Sequence, residues 1–296
     1  MIDLNAAARF MTTHARLLDR RRFDLLTGKN GPQGPLAALA GYRNDDGGYG
    51  NALEPDLRSA GSQPVSALHA FEVFEEVAPV ASEHAAHLCD WLASSTLADG
   101  GLPFALPVPD PAGCAPFFVQ ADSRVSSLHM TCMLAAIAHR IGRHDPVVRE
   151  HRWLTTATAY SLQRIRELEG PGHALEYRFA LQFLDATHDI LPGADAELHR
   201  LGAWLPESGI LAVEGGTDGE AMRPLDFAPV PDRPLRALFS ESAIQSELDS
   251  LESAQQPDGG WTVDWDSQSP AGALEWRGWA TVRALTILKA NARPTP

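Results

Sequence analysis

Three short stretches of the chain repeat one pattern: "NDDGGYGN" at 44–51, "LADGGLPF" at 97–104 and "QQPDGGWTVDW" at 255–265. Each sets an aspartate and two glycines directly after a helix-like segment. Glycine ends a helix by taking positive φ without steric cost, and the aspartate before it favours a turn. A chain punctuated in this way reverses direction at each pair. A weaker pair, Gly215/Gly216, lies in the proline-rich stretch 206–234. The interval between Gly100 and Gly215 holds two repeats if each is about 50 residues long, with a degenerate copy near "EGPGH" at 169–173.

No strand-like alternation persists between these turns. The spacing of apolar residues predicts helices over 4–26, 35–43, 63–78, 82–95, 122–141, 146–168, 172–188, 194–205, 240–256 and 274–291. Segment 82–95 keeps Ala85, Leu88, Cys89 and Leu92 on one stripe and charge elsewhere, so it is half-exposed. Segments 125–138 and 278–288 are apolar almost all round and must be packed on every side. Half-exposed and enclosed helices therefore alternate, and the glycine pairs fall at the change from one kind to the other.

Composition removes several function classes. The net charge of −14 opposes binding to nucleic-acid phosphates or to an anionic membrane. The one basic cluster, Arg20, Arg21 and Arg22, reads as a solvated helix face. Cys89, Cys114 and Cys132 form no disulfide framework and no CxxC zinc site, so no metal ligands are assigned. No segment approaches the length of an apolar membrane span, and the N-terminus lacks a signal peptide's apolar run. The expected setting is cytoplasmic, with the 296 residues forming one domain.

"SLESAQQPDGGW" at 250–261 resembles the QW motif of squalene–hopene cyclases and of the wider terpenoid cyclase and protein prenyltransferase superfamily. Leu251, Gln255, Gly259 and Trp261 match it. In the second copy Trp91, Leu92, Gly100 and Gly101 match, with Thr96 in the Gln place and Leu102 in the Trp place. In the first, Leu39, Gly47, Gly48 and Tyr49 match, with Arg43 in the Gln place. The resemblance implies an all-α fold, an α/α toroid of roughly five to six helix pairs in an inner and an outer ring. It also implies that Gln255 and Trp261 brace neighbouring repeats, and that the inner helices converge on a central cavity.

Four inner-helix regions carry an acid, one residue, then arginine: Asp56/Arg58, Asp122/Arg124, Glu176/Arg178 and Glu275/Arg277. A helix N-terminus favours anions, and an arginine adds bidentate recognition of a carboxylate or diphosphate. The alternative is that each acid caps its helix and each arginine pairs locally. A second echo, "VSALHAF" at 65–71 against "VSSLHMT" at 125–131, sets His69 and His129 at matching places, as proton carriers or as core histidines satisfied by their neighbours. Trp265, Trp276 and Trp279, close to Trp261, offer aromatic faces to a cation or an apolar ligand; core packing also accounts for such a cluster.

Neither the DxDD motif of protonating cyclases nor the DDxxD motif of ionising synthases occurs; "GALEWRGWAT" leaves only Glu275 where DxDD would stand. The expected function is binding, and acid-promoted transformation, of an isoprenoid or other small apolar substrate. Glu275 or Asp122 is then the acid, and Arg58, Arg124 and Arg277 hold an anionic head group. No cofactor is assigned; magnesium enters only if the substrate is a diphosphate. The alternatives are a noncatalytic lipid- or peptide-binding toroid, and a carbohydrate-active α/α barrel in which two of Glu54, Asp56, Asp122 and Glu275 form an acid/base pair.

Overall fold

The computed structural model describes residues 2–293. They form an all-α fold of α1 (Leu4–His14), α2 (Leu17–Leu26), α3 (Gln33–Leu39), α4 (Pro64–Glu76), α5 (Glu83–Ser95), α6 (Pro116–Val119) and α7 (Leu128–Gly142). After these come α8 (Pro146–Arg149), α9 (Arg152–Arg166), α10 (Ala174–Thr187), α11 (Ala194–Gly202), α12 (Pro224–Phe227), α13 (Glu241–Ser253) and α14 (Pro270–Ala290). Two antiparallel pairs of two-residue strands join Leu102–Pro103 to Ser126–Ser127 and Leu211–Ala212 to Ala221–Met222.

The three glycine turns share one hydrogen-bond pattern. Gly47, Gly100 and Gly259 take φ of 87°, 92° and 98°. Their N–H groups donate to the carbonyls of Asn44, Leu97 and Gln256 at 3.1, 2.9 and 2.8 Å, and those same residues donate back to Gly48, Gly101 and Gly260. The aspartates Asp46, Asp99 and Asp258 accept from the second glycine at 2.9–3.1 Å. A Cβ on Gly47 would meet His87 of α5, one on Gly100 would meet Thr156 of α9, and one on Gly259 would meet the Ala6 backbone of α1 at 2.2 Å. The last turn thus docks on the first helix as the two earlier turns dock on α5 and α9.

The motif residues around 255–261 hold that joint. The Gln255 amide bridges both backbone groups of Asp3, accepting at 2.8 Å and donating at 2.9 Å. Trp261 is 2% exposed and donates its indole N–H to the Leu251 carbonyl at 2.8 Å. Gly215 lies instead in the turn between the two short strands near 211–222.

Neighbouring helices pack as α2 on α3, α3 on α4, α4 on α7, α7 on α10, α10 on α12, and α14 on α2 and α1. The enclosed reading of 125–138 holds within α7, where every residue from Met130 to Ala138 is buried, but not at Val125 before it, which is exposed. Three expected helices break or start late. The stretch 4–26 breaks at Ala15 and Arg16, whose extended backbones redirect α2. The stretch 146–168 breaks where His151 caps the next helix by accepting from Trp153 N–H. Residues 122–127 are a turn, because Asp122 binds the Arg124 N–H and Ser126 is drawn into the strand pair.

The redirection of α2 overturns the solvated reading for Arg22 alone; Arg20 and Arg21 remain half-exposed. Asp19 and Arg22 are buried, since their face of α2 meets α4 and α14.

Candidate functional site

The loop from Gly50 to Gly61 delivers the first two acids. Asn51 and Ala52 both hold positive φ, an uncommon pair for side-chain-bearing residues. The excursion is tied by Asn51 N–H to Ala60 O and Ala52 N–H to Ser59 O. Leu53 anchors it in the core, and its carbonyl accepts from Arg16 at 2.8 Å. Glu54 and Asp56 are thereby pressed against α4 and α14, 3% and 5% exposed.

Glu54 accepts from Asp56 N–H through one oxygen and meets His69 Nε2 at 2.9 Å through the other. His69 Nδ1 lies 3.2 Å from Glu72, and Glu72 also accepts from Trp279 at 3.0 Å and pairs with Arg22 at 3.2 Å. Arg22 continues to Glu76 in a bidentate pair. Burial opposes charge on His69, but the Glu72 charge and the hydrogen bonds to Glu54 and Glu72 outweigh it and raise its pKa to about 9. Burial opposes the Glu72 carboxylate too; His69, Arg22 and the Trp279 N–H win, holding its pKa down at about 2. Burial likewise opposes Arg22, yet Glu76, Glu72 and Asp19 raise its pKa. His69 is thus a clamp between two carboxylates, not a free proton carrier.

Asp56 is surrounded by donors: Trp276 N–H at 2.6 Å, Ser267 hydroxyl at 2.7 Å and Gln268 N–H at 3.0 Å. Beside it the three tryptophans meet edge-on, Trp265 to Trp276 at 5.0 Å and Trp276 to Trp279 at 5.3 Å. His69 adds its ring edge 5.8 Å from Trp276. Arg58 pairs with Glu275 at 2.7 Å. The structure therefore brings Glu54, Asp56, Arg58, His69, Trp265, Trp276, Trp279 and Glu275 into one neighbourhood, without the Asp122, Arg124, His129 and Arg277 expected beside them.

The remaining expected residues lie elsewhere. Asp122 and Arg124 pair with each other at 2.9 Å on the surface, where Arg124 holds the Asp122 carboxyl down at about 2. They stand before the helix, not at its N-terminus, because the turn at 122–127 delays α7. Arg277 binds Asp258 of the last glycine turn at 2.7 Å and covers the Phe10 ring, so it secures scaffold. Asp56 and Arg58 also precede their helix, while Glu275 sits inside α14, which begins earlier than expected at the Ser269 cap.

The histidine echo is offset by one helical turn. Ser62 and Ser126 each donate to the aspartate of their own glycine turn, at 2.7 and 2.6 Å. In that register His129 falls level with Val65, and His69 with Met133. His129 instead stacks on Phe179 at 4.8 Å, with Phe104 at 5.5 Å. Burial and the Arg178 charge push its pKa down to about 3.

Glu72 was not singled out by sequence, and Arg22 and Arg178 were noted only as part of a surface cluster and of an acid-x-Arg pair. Glu72 had a signal, since it shares a helix face with His69 three residues before it. Arg178 had only its place after Glu176. Burial lowers the Arg178 pKa to about 10, and it has no carboxylate partner among the described residues. Among those residues no three His, Cys, Asp or Glu side chains are arranged to hold a metal ion, and no helix is long and apolar enough to cross a membrane. No protein-family model matches the chain, and no curated protein matches it.

Proposed function

We propose that the chain is an α/α toroid of the terpenoid cyclase and prenyltransferase kind, which binds an isoprenoid or another small apolar molecule without transforming it. Six helix pairs fit that architecture, with α2, α4, α7, α10, α12 and α14 inside. Ion pairs link α2 to α4 through Arg22 and α12 to α14 through Asp226 and Arg283, and the docking of the last glycine turn on α1 supports closure. The cluster of Trp265, Trp276 and Trp279 supplies an aromatic wall. Free, buried Cys89, Cys114 and Cys132 accord with a cytoplasmic setting.

One observation favours binding over chemistry: the acids expected to act are already engaged. Glu275 holds Arg58, Asp122 holds Arg124, and Glu54 holds His69. A carboxylate stabilised by a cation is a poor proton donor. A glycosidase pair is less well supported, because Glu54 and Asp56 are buried and offer a sugar no open face. Calorimetric titration with farnesyl and geranylgeranyl diphosphate, followed by product analysis, tests the proposal. Binding without turnover is expected; no binding of either at millimolar concentration would rule the isoprenoid reading out.

A second reading has one observation in its favour. Glu176 on α10 has no ion-pair or hydrogen-bond partner among the described residues, and burial raises its pKa against the pull of His173 and Arg164. That is the environment of a carboxyl kept as an acid. If products form, Glu176→Gln should abolish them while Glu275→Gln leaves them.

A further inference from the structure

We propose that the interior between α7 and α10 contains an oxyanion site, for a carboxylate or phosphate head group, with Arg178 as its main ligand and His129 beside it. This deepens the binding reading above by naming the ligand's polar end, and it moves that end away from Arg58, Arg124 and Arg277.

Arg178 is the guanidinium left over when the interior charges are paired. Among the described residues its Nε is buried without a partner, and its one hydrogen bond runs to the Met222 sulfur at 3.7 Å, a weak acceptor. Both carboxylates whose charges reach it are engaged. Asp226 takes Arg283 at 2.7 Å and the Arg223 N–H, and Glu72 takes Arg22, His69 and Trp279. By contrast Arg22, Arg140 and Arg283 each have a carboxylate. The Arg178 side chain is half-buried, but its shielded Nε side has no counter-ion to face among the described residues; leaving a partly desolvated cation unpaired is costly, and a bound anion reduces that cost.

The surroundings favour an anion carried on an apolar body. The Arg178 guanidinium lies 4.7 Å from the Phe179 ring centre, on which His129 also stacks. Neither His129 nitrogen has a hydrogen-bond partner among the described residues. Phe104 edges on His129 and stacks on Phe118 at 5.4 Å. His129, kept neutral by burial and by the Arg178 charge, still carries one ring N–H that can donate to an anion beside Arg178.

The test measures unfolding midpoints of the unmodified protein, Arg178→Met and Arg178→Lys, with and without inorganic pyrophosphate and phosphate. Titrations with farnesyl diphosphate, farnesoic acid and farnesol follow. Pyrophosphate or phosphate should raise the midpoint of the unmodified protein and of the lysine variant, but not of the methionine variant. That variant, freed of an unpaired charge, should unfold no earlier than the unmodified protein without anion. The diphosphate or the acid should bind at least tenfold more tightly than farnesol, with the preferred one telling phosphate from carboxylate. Arg178→Met should erase that preference. An equal anion response in Arg178→Met overturns the site. So does equal affinity for all three ligands, a result that needs no variant to fold. If pyrophosphate acts but farnesol does not bind, the anion site stands and the apolar reading fails.

Discussion

The Glu275 carboxylate grips the Arg58 guanidinium through both nitrogens, at 2.7 and 3.3 Å, joining positions 217 residues apart. The pair ties α14 to the loop that carries Glu54 and Asp56. It also removes Glu275 from the part of a free acid, the part its place after the tryptophan turn had implied.

Because both partners are largely shielded from solvent, their coupling should be measurable but modest. A double-mutant cycle on Arg58→Met and Glu275→Gln should give about 1 kcal/mol, read from urea denaturation. Strictly additive single effects would show that the pair contributes nothing in solution.

His69 should make stability depend on alkaline pH. Its folded pKa is raised above the ordinary value, so the stabilisation is fully present below pH about 6.5 and is lost as pH rises through about 9. Up to about 3 kcal/mol should disappear over that window. His69→Gln should start less stable and show a flatter profile. An unmodified protein equally stable at pH 6 and pH 9.5 would contradict the clamp.

Trp261→Ala removes a side chain enclosed at the joint between the last turn and α1. A cost of about 3–5 kcal/mol is expected, seen as a lowered unfolding midpoint without a change in ligand preference. An unchanged midpoint would mean that the indole is not part of the scaffold.

Two glycines separate backbone strain from contact. Gly28 and Gly259 both hold positive φ, but a Cβ at Gly28 meets nothing within 4 Å while one at Gly259 enters the Ala6 backbone. Gly28→Ala should cost about 1–2 kcal/mol. Gly259→Ala should cost a further 1–3 kcal/mol or so from overpacking and should loosen α1, visible as faster amide exchange there. Equal effects at the two positions would show that the turn does not bear on α1.

The glycine turns and the enclosed helices were legible in the sequence because their causes are local. Positive φ needs glycine, and a helix apolar on every face needs neighbours on every side, so "DGG" and "HMTCMLAAIA" announce turn and core wherever they occur. The meeting of Glu54, Asp56 and His69 with the tryptophans was not legible, because α4, the 50–61 loop and α14 are brought together only by packing. Tertiary structure alone decided which charges meet. Arg58 meets Glu275 and Gln255 meets Asp3 only because the chain's two ends come together, and Arg277 goes to Asp258 because its helix runs past that turn. Whether an arginine recognises a ligand, braces a turn or stands without a counter-ion depends on partners tens to hundreds of residues away. Spacing along the chain carries little record of that choice: of the four arginines in one acid-x-Arg pattern, Arg124 keeps its own Asp122, Arg58 and Arg277 pair with distant acids, and among the described residues Arg178 alone has no carboxylate partner.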